Sequence, residues 1–372
     1  MKVVLTRGDL LKGITTVQSA VASKNTMPIL ANVLLEARDK KLEFVATDLD
    51  MGIRCSVQAE IVEKGNITIN AKKLSDIVRE LPEAQVELEI DDSHKMILVC
   101  KKSNFKIHGL PKDDFPILPE VKKDKVFKIK GSLLQEMIQK TIFAVSSDET
   151  RYVLNGVFFQ VEGSKLRMVA TDGHRLAFIE KKIENKTDNK ASVIIPTKTL
   201  HELVKAVSEL GRGKEEDLMV EVIATDNQIK FVIEDVEIIS RLIEGQFPNY
   251  EQVIPKESDK KIEASVSNLA AATRRVKILT SEKSNSIRYQ AKDNKLTISS
   301  KTPDMGEAKE EIDVEYKGEE ISIAYNAQYV LDVLKNVGTE AVNIELTQPL
   351  SPGILRPKGD ADYLCVIMPM RV

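Results

Sequence analysis

The chain has 372 residues, 42% hydrophobic and 30% charged, with a formal net charge of −3. That length exceeds one ordinary core and predicts two or three domains, and the composition is that of a soluble globular chain with no apolar run long enough to span a membrane. Cys55, Cys100 and Cys365 form no CxxC pair, and the four histidines show no metal-ligand spacing, which excludes a disulfide framework and the common zinc sites.

In the first third, residues 2–5 read as a strand and residues 7–22 as a helix, because Leu10, Leu11, Ile14, Val17 and Val21 recur at helical spacing. Strands follow near 33–36, 42–47, 53–61 and 66–70. A second helix over 72–81 puts Leu74, Ile77, Val78 and Leu81 on one face, and Pro82 stops it. Strands near 86–90, 96–101 and 105–110 lead into an exit loop marked by Pro111, Pro116 and Pro119. The second third repeats this order. Its helices run over 133–145 and from 197 to the glycines Gly211 and Gly213, with strands near 157–161, 166–171 and 176–180. The last third carries helices over 267–279 and 326–337, a central strand at 296–299 and an apolar closing strand at 363–368.

The order recurs because the sequence does. Leu166-Arg167-Met168-Val169-Ala170-Thr171-Asp172-Gly173-His174-Arg175 reads as a strand running into a tight turn at Asp172-Gly173. Its Ala-Thr-Asp ending occurs 124 residues earlier, at Ala46-Thr47-Asp48, and the chain is three times that offset in length. Leu133-Leu134 follows Leu10-Leu11 by 123 residues, Ile195 follows Ile69 by 126, and Ile323 follows Ile195 by 128. Three domains are therefore expected, over 1–122, 123–255 and 256–372, in an α+β fold with two helices on antiparallel sheets in each. The earlier copy keeps Asp48 and lacks the His-Arg pair, so the Thr-Asp turn reads as structural and His174-Arg175 as an added function.

Charge is unevenly spread. Counted with their flanks over 7–24, 71–81, 130–146, 197–207, 265–280 and 326–337, the six predicted helices together carry +8 and the remainder of the chain −11, and none of the six windows is net negative. Basic helices lining one surface would meet phosphate, while acidic strands and loops repel it. No aromatic residue lies among these basic positions, so the expected contact is to nucleic-acid backbone and independent of base sequence. Neither GxGxxG nor GxxxxGK(S/T) occurs, so no nucleotide cradle is expected. Asp172, His174 and Arg175 lack a positioned nucleophile and a second carboxylate, so no catalytic residue, cofactor or metal is assigned. The apolar stretch of residues 1–7 is too short for a signal peptide, which predicts a cytoplasmic location.

Residues 170–177, preceded by Arg151-Tyr152-Val153-Leu154-Asn155-Gly156 and followed by Phe247-Pro248-Asn249-Tyr250 and Val366-Ile367-Met368-Pro369-Met370-Arg371-Val372, resemble the bacterial DNA polymerase III beta subunits, the sliding clamps. The resemblance spans the whole chain. It implies the DNA clamp fold and a head-to-tail dimer closed as a six-domain ring. It also implies a non-catalytic role, in which the ring encircles duplex DNA and tethers the replicative polymerase to raise its processivity. The implied partners are duplex DNA, a second copy of the chain, a clamp loader, the polymerase catalytic subunit, and other polymerases and repair proteins with clamp-binding peptides. The resemblance implies no membrane partner and a cytoplasmic, nucleoid-associated setting.

By the same resemblance, the DNA-facing positions fall on Lys24, Lys72, Lys73, Arg79, Tyr152 and Lys198. A hydrophobic partner-peptide cleft between the second and third domains falls on Leu154, Thr171, Gly173, His174, Arg175 and Leu176. Pro248, Val253, Val366, Met368, Pro369, Met370 and Arg371 complete it, where methionines adapt to varied ligands and prolines fix the walls. The dimer contact falls on Phe105 and Ile107 against Ile278 and Leu279 of the neighbour, with Lys101 and Lys102 facing its Glu307 and Glu310. The chain departs from the family pattern at Val153, often a second aromatic, at Gln252, often an arginine, and at Val372, where the last residue is otherwise Leu.

Overall fold

Among the described residues, six α-helices form close to the predicted positions: α1 Arg7–Val17, α2 Ala71–Glu80, α3 Gly131–Gln139, α4 Thr197–Leu210, α5 Val266–Lys277 and α6 Ala327–Asn336. The computed structural model describes residues 1–22, 27–91, 93–122, 125–184, 190–281, 284–303 and 305–371. Side-chain caps fix several helix starts. Thr6 Oγ1 accepts the Asp9 amide at 3.0 Å and donates to the Asp9 carboxylate at 2.6 Å. Asn70 and Asn326, the N-caps of α2 and α6, accept first-turn amides, that of Lys73 in one and those of Gln328 and Tyr329 in the other.

Two helices are shorter than their apolar periodicity predicts. After Val17 and after Gln139 the chain tightens into 3-10 turns, Gln18–Ala20 and Ile142–Ala144. Hydroxyls lie at both places. Thr16 Oγ1 donates to the Lys12 carbonyl and Thr141 Oγ1 to the Met137 carbonyl, each at 2.8 Å. Such back-bonding competes with the helical ladder and favours an early end.

Contacts gather the described chain into two units. One joins Met1–Gln135 to Lys198–Leu242; the other joins Glu136–Thr197 to Ile243–Val372. The first holds a five-stranded sheet ending at Ser103–His108 and an eight-stranded sheet. The second holds an eight-stranded sheet and a four-stranded one ending at Gly306–Asp313. Every named strand pairing is antiparallel, and in each large sheet two sequence repeats meet edge to edge. Val236–Arg241 pairs with Met51–Gln58 in one, and Tyr363–Ile367 with Arg175–Lys182 in the other. The repeat is thus a unit of sequence, while the hydrogen-bonded sheets join parts of neighbouring repeats.

Helix α1 lies on Lys41–Thr47 and Met51–Gln58 and against α2. It buries Leu10, Ile14 and Val17 and comes so close to the sheet that a Cβ at Gly13 would stand 2.3 Å from the Phe44 ring. Helix α5 lies in the same manner on Lys295–Thr302 and Gly306–Asp313 and against α6. Among the described residues, no helix is long and apolar enough to cross a membrane.

Candidate binding cleft and nucleic-acid interface

The turn after Lys165–Thr171 is closed by its own side chains. Thr171 Oγ1 donates to the Arg175 carbonyl at 2.7 Å and accepts the Gly173 amide at 3.1 Å. Asp172 Oδ1 accepts the amides of His174 and Arg175, each at 2.9 Å. Gly173 takes φ +86°, a region that glycine adopts freely. The first repeat builds the same turn. Thr47 Oγ1 donates to the Met51 carbonyl at 2.9 Å, and Asp48 Oδ1 accepts the Asp50 and Met51 amides at 3.1 and 2.8 Å. Leu49 is held there at φ +82°. Asp172 is committed to turn architecture, as the repeat comparison predicts.

Arg175 ties this turn to α6. Its Nε donates to Asp172 Oδ2 at 3.0 Å, Nη2 to the Phe143 carbonyl at 2.7 Å, and Nη1 to Asp332 Oδ2 at 2.5 Å. The guanidinium also lies over the Tyr329 ring, 4.6 Å from its centre. Delocalised charge and a planar fork let arginine do both at once, and lysine could not replace it. The adjacent His174 is exposed and stacks on Tyr329 at 6.3 Å.

Beside the turn opens a cavity of about 150 Å³. Nine predicted cleft residues line it: Leu154, Thr171, Gly173, Arg175 and Leu176, with Pro248, Val253, Val366 and Met368. Asn249 and Tyr250 line it too; they were missed as wall residues although they sit in the Phe-Pro-Asn-Tyr motif. Tyr250 belongs to an aromatic floor in which Phe158 stacks on Phe247 at 5.1 Å and Phe178 tilts towards Tyr250 at 5.9 Å. Burial pushes the Tyr250 phenol above its ordinary range. Predicted residues His174, Pro369, Met370 and Arg371 are not on the wall. The Met370 amide instead donates to the Ala324 carbonyl at 2.8 Å and seats the tail along the strand Ile321–Asn326.

The basic residues divide into free and engaged. Lys72, Lys73 and Arg79 stand exposed on α2, and none meets a carboxylate among the described residues. Tyr152 is 59% exposed, on the 3-10 segment Glu149–Leu154. Lys198 is ion-paired with Asp48 of the first-repeat turn. Lys24 and Val372 lie outside the described residues. On α5 the expected charge is reduced, because Arg275 forks onto Glu310 with both bonds at 2.5 Å. That bidentate bond holds the Glu310 carboxyl below its ordinary range.

The residues expected at a subunit contact sit at or beside two sheet edges. Half-buried Phe105 and buried Ile107 lie on the edge strand Ser103–His108. Ile278, 71% exposed, and half-buried Leu279 follow α5, which packs on the edge strand Gly306–Asp313. Glu307 and Glu310, expected to face Lys101 and Lys102 of a neighbour, each also meet a basic residue of their own chain. Lys301 meets Glu307 at 3.6 Å, and Arg275 holds Glu310.

Family models match the chain in three consecutive parts. These are the DNA polymerase III beta subunit N-terminal domain over residues 1–119, its central domain over 128–249 and its C-terminal domain over 251–371. The beta sliding clamp of Salmonella typhimurium is 36% identical, with all of both chains covered. The crystal structure of the DNA polymerase III subunit beta from Pseudomonas aeruginosa superposes with a TM-score of 0.95 at 34% identity, again over all of both chains. A sliding clamp structure from Bacillus subtilis gives a TM-score of 0.95 at 31% identity, covering 100% of this chain and 99% of that one.

Proposed function

The chain belongs to the family of DNA polymerase III beta subunits, the sliding clamps, and from that premise we propose that it is a DNA polymerase processivity factor working as a closed dimeric ring. Two copies, each divided into domains 1–122, 123–255 and 256–372, join head to tail around duplex DNA. The observation that carries the ring is the pair of open sheet edges, Ser103–His108 and Gly306–Asp313. An unpaired edge is a liability in a lone chain, and pairing one edge with the other edge of a second copy removes both.

Lys72, Lys73 and Arg79, with Lys24, Lys198 and Tyr152, face the duplex in this reading. A threaded ring is retained by topology, so its phosphate contacts can be few and weak. Each contact adds about −0.9 to the slope of log affinity against log salt, and none reads sequence. The cavity of the second unit takes an extended peptide from the polymerase catalytic subunit, and in turn from the clamp loader, other polymerases and repair proteins. Its aromatic floor and Met368 supply apolar contact, while Arg175 and the Thr171 turn keep the wall in place. The ring acts without catalysis, in the cytoplasm at the nucleoid.

The test is primer extension on a long primed single-stranded circle, with the cognate polymerase and clamp loader and excess trap DNA. Full-length products that require this protein are expected. Product lengths identical with and without it would refute the assignment.

A further inference from the structure

The first unit holds a second groove with the backbone plan of the cleft and different chemistry. In the cleft Arg175 pairs with Ile367 and Leu176 with Val366, and the Met368 amide donates to the His174 carbonyl at 2.8 Å. In the first unit Met51 pairs with Ser240 and Gly52 with Ile239, and the Arg241 amide donates to the Asp50 carbonyl at 2.9 Å. The registers correspond residue for residue, so Arg241 stands where the cleft has Met368. Phe115-Pro116-Ile117-Leu118 likewise takes the place of Phe247-Pro248-Asn249-Tyr250.

A cavity of about 240 Å³ opens at this junction, lined by Leu49, Met51, Pro116, Ile117 and Arg241 among others. Leu118 shapes its base by seating on bare backbone, since a Cβ at Gly52 would come within 2.2 Å of it. Two lining side chains are turned to solvent against their chemistry, Ile117 at 90% exposure and Leu49 at 44%. Leu49 is also held at φ +82°, a backbone region that a side chain with a Cβ adopts only under constraint. On the rim, the Arg241 guanidinium is exposed and meets no carboxylate among the described residues.

We propose that this groove is a second peptide site, for an extended segment with adjacent apolar side chains and one carboxylate. The apolar pair covers Ile117 and Leu49, and the carboxylate meets Arg241. The shared plan argues for an extended peptide, and the exchange of a thioether for a guanidinium argues for an acidic one. The proposal rests on the peptide reading of the cleft for its choice of probe, and the test separates the two.

The probe is the photo-reactive peptide acetyl-Asp-Leu-photoleucine-Phe-amide, cross-linked to the full-length protein and to Arg241→Glu, with adducts mapped by mass spectrometry. Adducts are expected at residues 115–119 and 49–51 as well as at 248–253. Arg241→Glu lowers the first set about fivefold, the worth of ~1 kcal/mol of charge pairing, and leaves the second set unchanged. A lysine in place of the probe's aspartate restores the first set in the variant. Adducts at 248–253 alone overturn the proposal and spare the cleft. Adducts at 115–119 that ignore both charge changes also overturn it. Adducts at 115–119 alone that follow the charge uphold the groove and refute the cleft, and no adducts at either place refute both.

Discussion

Arg175→Met removes the charge that joins the Thr-Asp turn to α6 while keeping an apolar stem against Tyr329. The substitution removes the guanidinium donor from Asp172 Oδ2, Asp332 Oδ2 and the Phe143 carbonyl, while Asp172 Oδ1 keeps its backbone amides and Asp332 Oδ1 keeps Gln328. Breaking a fully buried ion pair from one side costs about 3–5 kcal/mol. Side-chain exposures are 11% for Arg175, 14% for Asp172 and 26% for Asp332, so Asp332 can regain water more readily than Asp172. The lower end, about 3 kcal/mol, is the expected loss. For a cooperative unit of this size that is a fall in Tm of roughly 6–12 °C. Differential scanning calorimetry of Arg175→Met, Asp332→Asn and the double variant reads it. The double variant is expected to lose at least ~1 kcal/mol less than the sum of the singles, because no charge is then stranded on α6. A Tm shift under about 2 °C for Arg175→Met, or strict additivity, would show that Arg175 does not hold the turn as described.

Three further changes probe other parts of the account. Gly13→Val drives a side chain into Phe44 and is expected to cost about 1–3 kcal/mol, with Phe44→Leu partly restoring the denaturant midpoint; a neutral Gly13→Val is the contrary result. Burial pushes the Cys55 and Cys365 thiols up to about 12 from 9.0. Their neutral forms therefore favour the folded state below pH 9, and that contribution is lost as pH rises towards about 12. Urea midpoints between those pH values fall more steeply for the parent than for Cys55→Ala/Cys365→Ala, and parallel curves would contradict this. Reversing Lys72, Lys73 and Arg79 to Glu leaves Tm within about 2 °C but weakens DNA binding and flattens its salt slope by up to ~0.9 per lost phosphate contact. An unchanged slope would remove α2 from the DNA-facing surface.

Much of this was legible in the sequence, for identifiable reasons. The six helices were readable from apolar spacing because each lays one stripe on a sheet, and Asn70 and Asn326 mark two of their starts. The overestimates at α1 and α3 came from periodicity that ignores hydroxyls. Leu10-to-Val17 spacing carries no information about Thr16 and Thr141 turning back on the helix. The Thr-Asp turn was legible because it occurs twice, and the copy without His-Arg separated scaffold from surface. Arg175's partners were not legible, since Phe143 and Asp332 lie far from it in sequence and reach it only through the fold. Counting charge on α5 also misled, because a count cannot tell exposed Arg274, which meets no carboxylate among the described residues, from Arg275 forked onto Glu310. The second groove was hidden for the opposite reason. Position for position, Leu49, Met51 and Arg241 differ from Gly173, Arg175 and Met368, so the recurring Thr-Asp turn hints at a second copy and the sheet register supplies the residue-for-residue correspondence.

The central claim is that a ring of two such chains is threaded on DNA. The direct measurement is retention on circular against linear DNA. The protein is loaded onto a nicked plasmid with a bacterial clamp loader and ATP, the complex is isolated by gel filtration, half is cut once, and the protein on each form is counted. A threaded ring stays on the circles and runs off the linear ends. Equal retention on both would mean ordinary binding along a basic face, and the ring would be wrong.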